Sequence, residues 1–148
     1  MGRTDKEAFI IGAMSLVSNR LSRFGDELFP DITYKQWFLL RMISKMEGEE
    51  KSLNQIADFV GTTRQNVKKM IVPLEKKGYV VSAPSKTDGR ALCISLTRKT
   101  YRFFKENDGV AEQETDRLFS PFSDDEIDYF SARLHKLVEC LEKYPDSI

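Results

Sequence analysis

The segment SLNQIADFVGTTRQNVKKMIVPLEKKGYVVSAPSKTDGRALCISLT, residues 52–97, decides the fold. It opens on Ser52-Leu-Asn-Gln55, a capping box: the serine hydroxyl accepts from the backbone N–H three residues on while the glutamine reaches back. Leu53, Ile56, Ala57 and Val60 then recur at helical spacing and define one buried stripe. Gly61 breaks the helix. Thr62-x-x-Gln65 has the form of a second capping box, after which Val67, Met70, Ile71 and Leu74 give a second helix its inward stripe. Thr62, Gln65, Lys69 and Lys76 fall opposite that stripe, with Arg64, Asn66 and Lys68 on its flanks. Such side chains bond base edges in a major groove, or phosphate, so Thr62, Thr63, Arg64, Gln65, Asn66, Lys68 and Lys69 are candidate DNA contacts.

Gly78 suits a helix C′ position, where φ is usually positive. Beyond it Tyr79, Val81 and Ala83 alternate as a strand ended by Pro84, and Leu92, Ile94 and Leu96 alternate on a return strand. The connection holds Asp88-Gly89, a favoured turn pair, and puts Lys86 and Arg90 on a protruding basic loop. An isolated helix with a basic face is usually just solvated. The order helix, turn, helix, hairpin argues for more, namely a winged helix-turn-helix, whose second helix and wing meet DNA.

The net charge of zero hides a segregation. Residues 51–99 hold ten Lys/Arg against three acids, a balance of +7, whereas residues 106–128 hold nine acids opposed only by Arg117. A basic lobe suits a polyanion, and the acidic segment should stay away from it.

Composition narrows the class further. At 148 residues the chain should form a single domain, and 41% hydrophobic with 31% charged residues is ordinary for a globular protein. No apolar run approaches the roughly 18 residues that span a bilayer, and the N-terminus lacks a signal-peptide pattern, so a cytoplasmic location is expected. Cys93 and Cys140 are too few and too far apart for a zinc motif and are expected to be unpaired, with redox sensing the lesser reading. There is no Gly-rich phosphate loop, metal cluster or nucleophile–base spacing, so neither cofactor, metal nor enzymatic activity is expected.

The flanks read as helices. Ile10, Ala13, Met14, Val17, Leu21 and Phe24 form a stripe interrupted by Pro30. Thr33-x-x-Gln36 caps a helix that is apolar almost all round and therefore central. Thr97 stands where it would cap a helix from Arg98, and Asn107-Asp-Gly109 is a breaker signal within it. Ser123-x-x-Glu126 caps a last helix, striped by Ile127, Phe130, Leu134, Leu137, Val138 and Leu141, up to Pro145. The fold class is mainly α with a small β-hairpin.

From residue 8 to 144 the chain resembles the MarR family of bacterial regulators. The resemblance rests on Ile32-Thr-Tyr-Lys-Gln-Trp37, Leu74-Glu-Lys-Lys-Gly78-Tyr-Val, and above all Asp88-x-Arg90 followed by Leu96-Thr97. It implies a single MarR-like domain over 1–148, with a winged lobe at 33–97 and dimerisation helices at 5–29 and 98–144. It further implies a homodimer straddling a pseudo-palindromic site on double-stranded DNA, Arg90 reaching a flanking minor groove and Asp88 supporting the wing. Two-fold proteins read half-sites about one helical turn apart, and unpaired apolar stripes independently call for a partner. Many members release DNA when a small aromatic molecule binds between the dimerisation helices and the winged lobe. Phe24, Tyr34, Trp37 and Phe38 would lie near such a pocket, beside Phe29, unless these aromatics only fill the core.

Two departures from the family pattern stand out. Pro73 lies inside the second helix, where it removes the bond to the Lys69 carbonyl and is expected to kink the helix, and Thr100 replaces a common glycine. The expected function is a sequence-specific transcriptional regulator, a ligand-responsive repressor. The alternative is a winged-helix protein–protein assembly module without an operator, although such a surface should show exposed apolar anchors.

Overall fold

A computed structural model describes residues 1–144. In chain order the elements are α1 (Arg3–Leu28), α2 (Tyr34–Lys45), α3 (Leu53–Val60), α4 (Arg64–Lys76), β1 (Val80–Pro84), β2 (Leu92–Leu96), α5 (Arg98–Phe119) and α6 (Asp124–Glu142). The described chain forms two compact units, residues 1–108 and 109–144, the boundary falling within the span of α5.

The first unit is built around α2. Leu39, Leu40 and Ile43 of α2, Ile56 of α3, Val67 and Leu74 of α4, Val80 of β1 and Ile94 of β2 are essentially inaccessible and form one core with Phe103 and Phe104 of α5. The boxes at Thr33/Gln36 and Ser52/Gln55 form in both directions. Gly61 takes the left-handed conformation (φ 77°), which lets the Gly61 and Thr62 N–H groups bond the Ala57 carbonyl and turn the chain into α4.

Four local expectations are corrected. The α4 cap is Thr63, whose hydroxyl accepts from Asn66 N–H at 3.2 Å; Thr62-x-x-Gln65 is not a box, and Thr62 Oγ1 instead accepts from Asn66 Nδ2 at 3.2 Å. Strand β1 is out of phase with the expectation. Val80, Ser82 and Pro84 pair with Leu96, Ile94 and Leu92, so Val80 is buried while Val81 is half exposed; Gly78, at φ 83°, turns both Tyr79 and Val80 inward. Thr97 does not cap α5: its hydroxyl donates to the Gly78 and Tyr79 carbonyls at 2.6 and 3.1 Å. The breaker signal at 107–109 leaves α5 whole, because Asn107 Nδ2 donates to the Phe103 carbonyl at 2.9 Å and Asp108 pairs with Arg41, itself 3.9 Å over the Phe104 ring.

Helix α4 continues through Pro73 to Lys76. Thr100 is fully buried and gives its hydroxyl proton to the Tyr79 carbonyl at 2.5 Å, a bond that a glycine at this position could not make. The second unit comprises the end of α5 and α6, which starts on the expected Ser123/Glu126 box. Pro145, expected to end α6, lies outside the described residues. Both cysteines are free, and among the described residues no helix is long and apolar enough to cross a membrane.

Candidate nucleic-acid interface

Helix α4 is held by its inward face and presents the other. Val67, Ile71 and Leu74 lock it to α3 and the core, so Arg64, Gln65, Lys68, Lys69 and Lys76 project outward. Asn66 is also exposed, yet its amide is engaged by Thr62 at the helix start. At the far end Glu75 Oε1 accepts from Ser82 N–H at 2.9 Å, tying α4 to the hairpin and so relating the helix to the wing. Val72, 42% exposed, lies on the same outer face, an apolar site within a polar surface that the helical pattern does not single out.

The wing, residues 85–91, is closed by Ser85 N–H to the Ala91 carbonyl at 2.8 Å and Ala91 N–H to the Asp88 carbonyl at 3.0 Å. Asp88 Oδ1 accepts from Arg90 N–H at 3.1 Å, an Asx-type turn within the loop. Lys86 and Arg90 are exposed. The residue that most firmly ties this loop down, Glu50, lies outside the hairpin and carries no signal in the sequence. Its carboxylate accepts from Lys86 N–H and from the Ser85 hydroxyl, each at 2.6 Å. Asp31, equally silent in the sequence, accepts from the Tyr79 hydroxyl and lies 3.7 Å from Lys77 Nζ, joining the turn before α2 to the end of α4 and the start of β1. That hydroxyl first, with help from Lys77 and Lys99 against partial desolvation, holds the Asp31 carboxyl below its ordinary range.

A groove of about 580 Å³ opens beside α4. Ser18 and Ser22 of α1, Tyr34, Lys35, Phe38 and Leu39 of α2, and Val60, Thr62, Asn66, Lys69 and Met70 line it. Tyr34 and Phe38 thus border one cavity, and burial pushes the Tyr34 phenol up. The other two aromatics expected at a pocket are elsewhere: Trp37 stacks on Phe29 at 5.2 Å, and Phe24 is 43% exposed on α1.

This geometry agrees with comparisons to known proteins. Residues 32–100 match the family described as winged helix DNA-binding domain. The chain is similar to MepR of Staphylococcus aureus, solved as a DNA complex, at 21% identity and TM-score 0.78, covering 87% of this chain and 95% of that one. A MarR protein from Peptoclostridium difficile aligns with TM-score 0.80 and 20% identity over 90% of this chain and 88% of the other. A MarR/EmrR family regulator from Acinetobacter sp. ADP1 gives 0.78 and 20% over 97% and 100%. Residues 32–100 therefore match a winged helix DNA-binding domain, and the chain as a whole shares the fold of these solved regulators.

Proposed function

We propose that the chain is a sequence-specific transcriptional regulator, a homodimer on a pseudo-palindromic operator whose hold on DNA responds to a small aromatic effector. The observation that carries this reading is the outer surface of α4, where Arg64, Gln65, Lys68 and Lys69 are exposed on a helix fixed by three buried residues. A rigid helix with bidentate polar side chains near its N-terminus is suited to a major groove. Thr62, Thr63 and Asn66 set its start, Lys86 and Arg90 extend the surface toward flanking DNA, and Asp88 shapes the wing. Exposed Ile10, Val17 and Phe24 on α1 and, separately, Phe130, Val138 and Leu141 on α6 support self-association.

The groove supports an effector. Its wall shares Thr62, Asn66 and Lys69 with the surface assigned to DNA, so a ring seated against Tyr34 and Phe38 would bear on side chains that meet the operator. An operator overlapping a promoter would make the regulator a repressor, working in a bacterial cytoplasm.

The test is a titration of wild type and Gln65→Ala against fragments selected by the protein from genomic DNA. The variant should lose about 1–3 kcal/mol on the best site and much less on a site altered at the contacted base pair. Equal loss on every sequence, or no preferred fragment, would favour an assembly module instead.

A further inference from the structure

The wing loop is held by a residue 35 positions upstream of Ser85. Ser52 pairs with Cys93 and the Ile94 N–H donates to the Lys51 carbonyl at 2.8 Å, so the segment ahead of α3 runs antiparallel along β2 and delivers Glu50 to the loop. There Glu50 Oε1 accepts from Lys86 N–H at 2.6 Å, and Oε2 accepts from the Ser85 hydroxyl at 2.6 Å and lies 3.4 Å from Thr87 Oγ1. Having directed its proton to Glu50, the Ser85 oxygen accepts from the Thr87 and Asp88 N–H groups at 3.2 and 3.1 Å. One carboxylate therefore orders three consecutive loop amides, one directly and two through a serine that is 8% exposed. The same hydroxyl, followed by the Lys86 N–H, holds the Glu50 carboxyl below its ordinary range, in keeping with an anion that these donors serve.

We propose that Glu50 is the positioning residue of the wing: without touching DNA, its carboxylate fixes the loop that carries Lys86 and Arg90 and so sets affinity for DNA flanking the sequence read by α4. This rests on the reading of the wing as a DNA contact. A glutamine of the same shape offers one oxygen where the loop aims donors at two, and its NH₂ group would face either the Ser85 hydroxyl or the Lys86 N–H.

The experiment compares wild type, Glu50→Gln and Ser85→Ala by amide hydrogen exchange of the free protein. The same proteins are titrated against a duplex selected from a random pool and against that duplex trimmed of its flanks. In Glu50→Gln the Lys86, Thr87 and Asp88 amides should exchange about tenfold faster, while Ile56 and Val67 amides in α3 and α4 keep their rates. Ser85→Ala should speed Thr87 and Asp88 alone. Affinity for the long duplex should fall several-fold in both variants, affinity for the trimmed duplex should hold, and the double variant should lose less than the two singles combined. Unchanged loop amides in Glu50→Gln would overturn the proposal, as would faster exchange throughout α3 and α4 with equal loss on both duplexes, the pattern of a merely structural residue. Loosened loop amides with no loss on the long duplex would remove the wing as a DNA contact, and the proposal would fall with that reading alone.

Discussion

Gly25 of α1 lies directly against the Tyr34 ring of α2: a Cβ at position 25 would meet Tyr34 Cβ and Cγ at 2.7 Å, with Cδ2 closer still. Tyr34 has little freedom to retreat, since its N–H donates to Asp26 Oδ1 at 2.7 Å and its ring packs 5.6 Å from Trp37. Glycine inside a helix gives up about 1 kcal/mol relative to alanine, yet overpacking here should exceed that gain. Gly25→Ala is therefore expected to destabilise the protein by about 1–2 kcal/mol in urea titration, and to disturb the groove that Tyr34 lines.

Tyr79→Phe tests the Asp31 bond. The carboxyl sits below its ordinary value when folded, so its contribution is complete above about pH 4 and drains away as pH falls through that value. The buried Tyr79 phenol is shifted upward, chiefly by desolvation and then by Asp31, so its contribution is complete below about pH 10 and is lost as pH rises further. The variant should be about 1 kcal/mol less stable at neutral pH and show weaker pH dependence at both ends of a denaturation series from about pH 3 to 11.

Pro73→Ala should stabilise α4. The helix continues on both sides of Pro73, which is only partly buried, and alanine supplies the N–H missing opposite the Lys69 carbonyl. The gain is expected to be about 1–2 kcal/mol in thermal denaturation, after the greater freedom of the unfolded chain is discounted. A lower Tm would mean that Pro73 sets a local geometry that the core requires.

The wing and the helix should fail differently on DNA. Loss of Lys86 or Arg90 removes an exposed cation from a loop, so each alanine variant should weaken binding to operator and base variants alike. The slope of log affinity against log salt should fall by about one for each phosphate that no longer meets a cation. Titration at several salt concentrations distinguishes this from the base-specific loss expected at Gln65.

Self-association is checked by light scattering. A chain of 17.1 kDa should return close to twice that mass at micromolar concentration. Val17→Glu or Phe130→Glu, at positions 52% and 58% exposed on α1 and α6, should shift it toward monomer with little effect on the fold of either unit.

The order of helices, two of the three positive-φ glycines (61 and 78, but not 48), the basic face of α4 and the existence of a hairpin are all legible in the amino-acid sequence. They are so because helical period, capping boxes and glycine breaks act over three or four residues, within one element. Tertiary packing settles which residue caps α4 and which face of β1 turns inward: Thr62 and Thr63 are both acceptable caps, and the strand phase follows from how Gly78 delivers Tyr79 and Val80 to the core. The same holds for the groove, which takes Tyr34 and Phe38 but leaves Trp37 on Phe29, and for the anchors Glu50–Ser85 and Asp31–Tyr79. Such pairings join residues 35 and 48 positions apart, and a carboxylate on a surface segment looks the same in sequence whether it is solvated or gathers the donors of a distant loop.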